Sequence, residues 1–343
     1  PLITFEKDQG TAEGRVQQGT LKAARAVKKI NPDTKILYYK NIIIDWHGSS
    51  MTKELISMDN AYLKSIDGSY PVVNKNSQRK FFDISLPQVK DWWMRDAARM
   101  LSNSSIDGLF IDANIKVLTA SYFAHGKKVG EVKAQKLRAG YHDLLKKINN
   151  RFSADNLVIG NIIRARMDNS GLEYLNYFDG SYLENFEHNV NGVLREDYIA
   201  KGIASVQQAA RKGKIIAFTA GLGKALDIDS SGIGLDEARK GIKNLDAVAD
   251  RLNYLTAMFL IMAEKYSYFF PHDSGYGVST NSRNAQVNRT WMYNLPIFKK
   301  KLGEPKGPAI RQGYTYTREF EYCSVYLDIE NETAQLKWSE APK

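Results

Sequence analysis

The feature that most constrains this chain is an alternation of strand-like and helix-like segments that runs through most of its length. Leu2 to Phe5 reads as a strand, and Ala12 to Ile30 reads as a helix stopped by Asn31-Pro32. Lys35 to Tyr39 is a second strand, followed by an irregular stretch from about Asn41 to Phe82. A helix is expected over Pro87–Leu101, with Pro87 suited to its first turn. Strands at Gly108–Asp112, Leu157–Gly160, Ser181–Glu184, Ile215–Thr219 and Tyr266–Phe270 come next. Helices at Val132–Phe152, Asp197–Lys212 and Asp246–Ala263 intervene. Strands each followed by a helix predict a parallel sheet covered by helices. The expected fold is therefore α/β, a (β/α)8 TIM-type barrel over residues 1–301. Such a barrel takes eight strands, and seven are visible. The missing strand is expected upstream of Pro1 or, alternatively, in the tail. After the Gly/Pro-rich Leu302–Pro308, the runs Tyr316–Phe320 and Ser324–Ile329 alternate like antiparallel strands. Residues 302–343 therefore read as a small β appendage packed on the barrel.

Composition excludes several classes. The 343 residues are 43% hydrophobic, enough for a large core. Cys323 is the only cysteine, so neither an intramolecular disulfide nor a cysteine-rich metal site can form. The five histidines show no H-E-x-x-H and no close pair, so no metal and no cofactor is expected. No G-x-S-x-G elbow is present, which argues against a serine esterase. The longest apolar run, Tyr254 to Ala263, is shorter than the roughly 18 residues of a membrane span, so no membrane partner is expected. The chain starts on Pro1 rather than Met, which suits a processed protein, and a secreted or periplasmic location is expected. The formal net charge of +10 is read either as a surface that favours polyanions, namely nucleic acid, a membrane or an acidic polysaccharide, or as one that only keeps the protein soluble. The basic residues are dispersed and no nucleic-acid motif accompanies them, so an acidic polysaccharide is expected rather than nucleic acid.

One short pattern recurs. Asp107-Gly108-Leu109-Phe110-Ile111-Asp112-Ala113-Asn114 parallels Asp179-Gly180-Ser181-Tyr182-Leu183-Glu184-Asn185. Each starts on Asp-Gly, continues as a short aromatic-aliphatic strand and ends on a carboxylate. Side chains alternate along a strand, so Phe110 shares a face with Asp112, and Tyr182 with Glu184. In a barrel the strands' carboxyl ends form the active-site mouth, where both acids would point. Glycosidic cleavage needs such a pair: one acid protonates the leaving oxygen, and the other carboxylate attacks the anomeric carbon or activates water.

At these residues a family resemblance emerges. Asp-Gly-x-Phe-Ile-Asp at 107–112, preceded by Phe82-Asp83-Ile84-Ser85-x-Pro87-x-Val89-x-x-Trp92-Trp93, resembles a group of (β/α)8 glycoside hydrolases of polysaccharide degraders. Leu302-Gly303-x-Pro305-x-Gly307 and Arg318-x-Phe320 are similar to the close of such barrels. With a first strand missing, Asp112 ends strand four and Glu184 strand six. That placement is similar to the retaining α-galactosidase-like clan and the endo-acting galactosaminidases and fucanases that resemble it. The resemblance implies a retaining, endo-acting glycosidase with Asp112 as nucleophile and Glu184 as acid/base. It departs from the best-known barrel glycosidases, whose acid/base is on strand four and nucleophile on strand seven.

Further polar and aromatic residues fall near expected strand ends. Lys7, Tyr39, Lys40, Asn41, Trp46, His47, Asn114, Asn161, Arg164, Arg166, Asn185, His188 and His272 are the candidate substrate-binding residues. The aromatic rings could stack on sugar faces, and Lys7, Lys40, Arg164 and Arg166 could hold a sulfate or carboxylate. Ala220-Gly221-Leu222-Gly223-Lys224 opens a different reading, a barrel enzyme acting on a phosphorylated metabolite. A non-catalytic carbohydrate-binding barrel is the third, and it would be expected to lack one of the two carboxylates.

Overall fold

The computed structural model describes the chain except residues 6, 8–13, 47, 75, 77, 185, 188–191, 222–248, 273–294 and 340–343, with His272 described in its backbone alone. Seven strands form one sheet in sequential order: β1 (Leu2–Thr4), β2 (Lys35–Asn41), β3 (Gly108–Asp112), β4 (Leu157–Gly160), β5 (Gly180–Leu183), β6 (Ile215–Gly221) and β7 (Ser267–His272). Its ladders are parallel. The main helices between the strands are α1 (Val16–Ile30), α3 (Pro87–Leu101), α5 (Glu131–Phe152), α6 (Arg195–Arg211) and α7 (Ala249–Met262). Two short helices, α2 (Thr52–Ser57) and α4 (Asn114–Leu118), decorate the loops after β2 and β3. Parallel strands in sequence order with helical crossovers are the connectivity of the (β/α)-barrel class.

The tail folds as expected for an appendage. Strands β8 (Ile310–Gln312), β9 (Thr315–Glu319), β10 (Cys323–Asp328) and β11 (Thr333–Trp338) form a separate antiparallel sheet in the order β11-β10-β9-β8. In that order they pair with one another, so among the described residues the tail adds no strand to the parallel sheet.

Two boundaries differ from the sequence reading in ways that matter. Strand β2 runs on to Asn41, because Lys40 and Asn41 pair with Ile111 and Asp112 in the ladder. Ladder pairing overrides the weak strand preference of these two residue types. Strand β5 stops at Leu183, so Glu184 is the first residue beyond it.

The repeated Asp-Gly sets strand register. Asp107 donates its N–H to the Ile36 carbonyl (2.8 Å), and its Oδ2 accepts the Ile36 N–H (2.8 Å). Asp179 makes the same closed pair of bonds with Val158, at 2.7 Å and 2.7 Å. A charged acceptor therefore locks the start of β3 to β2 and the start of β5 to β4. At Gly108 a Cβ would stand 2.1 Å from the Leu157 carbonyl oxygen, so no larger residue fits the close approach of β4. Burial pushes the Asp107 carboxyl up, but the hydrogen bonds from Lys28 and the Ile36 N–H outweigh it and hold it below its ordinary value.

The chain divides into two compact units. The first comprises Pro1–Ile162 and Glu173–Ser181, the second Ile163–Leu172 and Tyr182–Lys343. In the first unit, the fully buried Asp96 of α3 accepts from Lys40 and Tyr38 of β2 and, at 2.9 Å, from Gln17 of α1. The Lys40 ammonium also stands over the Trp92 and Trp93 rings at 5.0 and 5.1 Å. One carboxylate thus joins two helices to the strand they cover.

In the second unit, α7 contacts α6 and β7 as well as β9, β10 and β11 of the tail sheet. Packing on several faces explains why the run Tyr254 to Ala263 is apolar all round. Arg318 of β9, buried, caps the end of α7 by donating to the carbonyls of Leu260 (2.9 Å) and Ala263, and it pairs with Glu264 (3.0 Å). A cation there satisfies orphan carbonyls and opposes the helix dipole. No helix among the described residues is long and apolar enough to cross a membrane.

These carboxylates make two predictions. Asp96→Ala strands a buried ammonium and should cost about 3–5 kcal/mol in urea unfolding, whereas the apolar pair Lys40→Met with Asp96→Leu should cost much less. Asp107 has a depressed folded value, so its contribution is present above about pH 4 and is lost as pH falls through that value. The acid limb of stability should therefore flatten in Asp107→Asn, measured as unfolding free energy against pH.

Candidate active site

Asp112 ends β3 in the first unit. Its carboxylate accepts from the Tyr39 hydroxyl (2.7 Å), Asn41 Nδ2 (3.4 Å) and Asn161 Nδ2 (3.3 Å). Tyr39 and Asn41 come from the neighbouring strand β2, Asn161 from just past β4. Strand alternation puts Tyr39 and Asn41 on one face, and register sets Asn41 opposite Asp112. Asn41 is itself fixed: its Oδ1 accepts the N–H groups of Ile43 (3.1 Å) and Ile44 (2.7 Å). Phe110 lies against the Tyr39 ring at 5.8 Å. Among the described residues, the donors to Asp112 are two neutral amides and a phenol, which fix the direction of its carboxylate. Beyond it the chain reverses at Ala113, whose φ of 67° is left-handed. That conformation costs a non-glycine residue roughly 1–2 kcal/mol, and such strain concentrates at functional sites.

Beside this network the first unit has a pocket whose lining includes Lys7, Tyr39, Asn41, Asp45, Trp46 and Ser49. The Lys7 ammonium stands over the Trp46 ring at 5.0 Å and the Tyr39 ring at 6.0 Å. Trp46 Nε1 is buried with no hydrogen-bond partner among the described residues. Asp45 accepts the Tyr62 hydroxyl at 2.6 Å, and burial together with Asp45 pushes the Tyr62 phenol up. Aromatic rings beside a few fixed polar groups are what a small-molecule pocket offers.

Glu184 belongs to the second unit. Its Oε1 accepts from Arg164 Nη2 at 2.9 Å, and Arg164 also donates to the Ile163 carbonyl. Arg164 is buried and Glu184 partly exposed. Arg166 lies in an exposed turn nearby in sequence.

Three of the expected substrate-binding residues take other places. Lys40 is buried against Asp96, and Arg164 against Glu184, so both charges are already compensated internally. Neither is an uncommitted cation for an anionic ligand. Asn114 is fully buried, donating to the Ile111 carbonyl (2.7 Å) and accepting from the Tyr141 hydroxyl (2.9 Å). It is a core residue, because the left-handed Ala113 turns it inward. Within the first unit Tyr39, Asn41 and Asn161 meet Asp112, and Lys7 and Trp46 line the pocket that Tyr39 and Asn41 share. His47, Asn185 and His188 lie outside the described residues, as do the His272 side chain and residues 222–224 of the glycine-rich loop.

Sequence reasoning missed Asp45, Asp96 and Glu187. Asp96 carried one signal: an acid on the apolar, tryptophan-bearing face of a helix, which needs a buried partner. Glu187 carried a weaker one, its place three residues beyond Glu184.

A family model described as hypothetical glycosyl hydrolase family 15 matches residues 28–324, and the chain belongs to that family. No curated protein matches it in sequence. Solved structures with a similar fold include the galactosidase domain of alpha-galactosidase-sucrose kinase AgaSK, at 13% identity and TM-score 0.43, covering 88% of this chain and 36% of that one. The maltogenic alpha-amylase AmyB from Thermotoga neapolitana is similar at 11% identity and TM-score 0.44, covering 90% of this chain and 67% of that one. The alpha-amylase from Geobacillus thermoleovorans, complexed with acarbose, is similar at 11% identity and TM-score 0.46, covering 90% and 68%. The chain spans about a third of the length of the first.

The inward placement of Asn114 makes a prediction that separates core from ligand roles. Asn114→Ala leaves buried partners unsatisfied and should lower stability by about 1–3 kcal/mol. The KM of the folded enzyme should stay unchanged. A raised KM at unchanged stability would return Asn114 to the binding site.

Proposed function

We propose that this chain is a glycosidase, retaining and endo-acting on a polysaccharide, with Asp112 as nucleophile and Glu184 as general acid/base. The observation that carries the reading is the Asp112 carboxylate, held at the end of β3 by Tyr39, Asn41 and Asn161. A nucleophile must be held in one orientation, and these three donors hold it there. In the first step Asp112 attacks the anomeric carbon while Glu184 gives its proton to the leaving oxygen. In the second, Glu184 takes a proton from water as that water attacks the anomeric carbon and frees Asp112. The Arg164 guanidinium would stabilise the carboxylate that Glu184 becomes between the steps.

An anionic polymer remains the substrate proposed. Its support is the net charge of +10, with Lys7 beside the pocket and Arg166 exposed. Lys40 and Arg164 no longer contribute to it.

The test is a screen of fucoidan, chondroitin sulfate, polygalacturonate and a neutral galactan. Viscosity should fall faster than reducing ends accumulate if cleavage is internal, and proton NMR should show the anomer retained. Asp112→Asn and Glu184→Gln should each lose at least about 10³-fold in kcat, with the fold intact. Azide should rescue one variant with an altered anomeric product, which assigns the roles. Near wild-type turnover in either variant would remove that residue from the mechanism. Equal activity on the neutral galactan, with no salt dependence, would end the anionic reading.

A further inference from the structure

We infer that Glu187, gripped by Arg195 and Arg251, is the positioning residue for Glu184, and that the C-terminal sheet takes part in the grip through Arg195. The inference rests on the acid/base role proposed for Glu184, and every residue in it belongs to the second unit.

Glu184 is the first residue past β5, so the strand ladder holds it from one side only. On its other side the chain is anchored twice within three residues. The Phe186 ring meets Phe218 of β6 edge-on at 5.5 Å. It also lies against Gly202 of α6, where a Cβ would stand 2.9 Å from the ring. Glu187 then accepts a two-pronged contact from Arg251 of α7, Nη1 to Oε1 at 3.2 Å and Nη2 to Oε2. Arg195 at the start of α6 adds a third bond, Nη2 to Oε1 at 3.2 Å. Fork-on-carboxylate geometry fixes direction as well as distance.

The two arginines reach further. Arg251 Nε donates to the Gly221 carbonyl at the end of β6 (3.3 Å), and its guanidinium lies 5.5 Å from the Tyr254 ring centre. Arg195 donates to the Ile329 carbonyl (3.0 Å) and pairs with Glu332 (3.0 Å), both in the turn between β10 and β11. One carboxylate therefore joins the ends of β5 and β6, the helices α6 and α7, and the tail sheet.

Local stability does not explain this placement. Arg195 occupies the first turn of α6, where a cation meets the positive end of the helix dipole and is unfavourable. Glu187 and Glu332 meet it there and offset that cost. A proton donor, by contrast, needs such a scaffold, since a misplacement of about 1 Å can cost on the order of 10²-fold in rate. Glu187, three residues from Glu184, is close enough for a loss of grip to move the acid.

The experiment uses the full chain and two readouts. Amide hydrogen exchange across residues 182–187 is compared in wild type, Arg195→Ala, Arg195→Lys and Glu332→Gln. Glu332→Gln removes only the charge that pairs with Arg195 from an exposed side chain in the tail's turn, so it reports even if Arg195→Ala fails to fold. Exchange in this segment should quicken in Arg195→Ala and Glu332→Gln while β3 is unchanged, and Arg195→Lys should restore most of it. On whichever of the four polymers the wild type cleaves, kcat should fall about 10- to 100-fold in Arg195→Ala with KM unchanged. Exchange that stays at the wild-type rate, or rises evenly over the whole chain, overturns the grip. Loss of kcat without local loosening overturns the positioning role. Full activity in Glu184→Gln would instead sink the acid/base reading, and the exchange result would still report on the grip.

Discussion

Register in the parallel sheet decides which side chains reach its carboxyl end, and two aspartates set it. Each of Asp107 and Asp179 closes a two-bond ring with the neighbouring strand, at Ile36 and Val158. A slip of one residue would turn every side chain of a strand to the opposite face. With β3 held in register, Asn41 stands opposite Asp112, and Tyr39 and Asn41 both reach its carboxylate. The strand's first residues thus determine the surroundings of its last.

Charge in this protein does more work inside than the net value suggests. The formal +10 describes a surface, yet several cations serve as internal fasteners. Lys40 compensates Asp96 between β2 and α3, Arg164 holds Glu184, and Arg318 closes the end of α7. A buried pair of this kind adds little stability over an apolar packing of the same shape, but removing one partner is costly. Such pairs therefore specify arrangement: which helix lies on which strand, and where a carboxylate points.

The two acids of the repeated motif live in different chemistry. Asp112 is surrounded by neutral donors, Glu184 by an arginine. The repeat in the sequence is real at its Asp-Gly starts, where both copies make the same contacts, and it diverges at its ends.

The sequence by itself determined the element order, the parallel sheet, the appended antiparallel tail and the two strand-end acids. These arise from local patterns, namely hydrophobic period, turn residues and strand length, which neighbours along the chain impose on one another. It also carried Tyr39, Asn41 and Asn161 as strand-end residues, but not their convergence on Asp112. Only the tertiary structure decided which charges are spent. Lys40 and Asp96 are 56 positions apart, and Arg195 meets the Ile329 carbonyl across 134. No periodicity reports on such pairs. Asn114 went the same way: a polar residue after a strand end reads as a ligand until one left-handed residue, Ala113, turns it into the core. Side-chain chemistry is local and therefore legible, whereas whether a charged or polar group faces substrate or another side chain depends on what long-range packing brings against it.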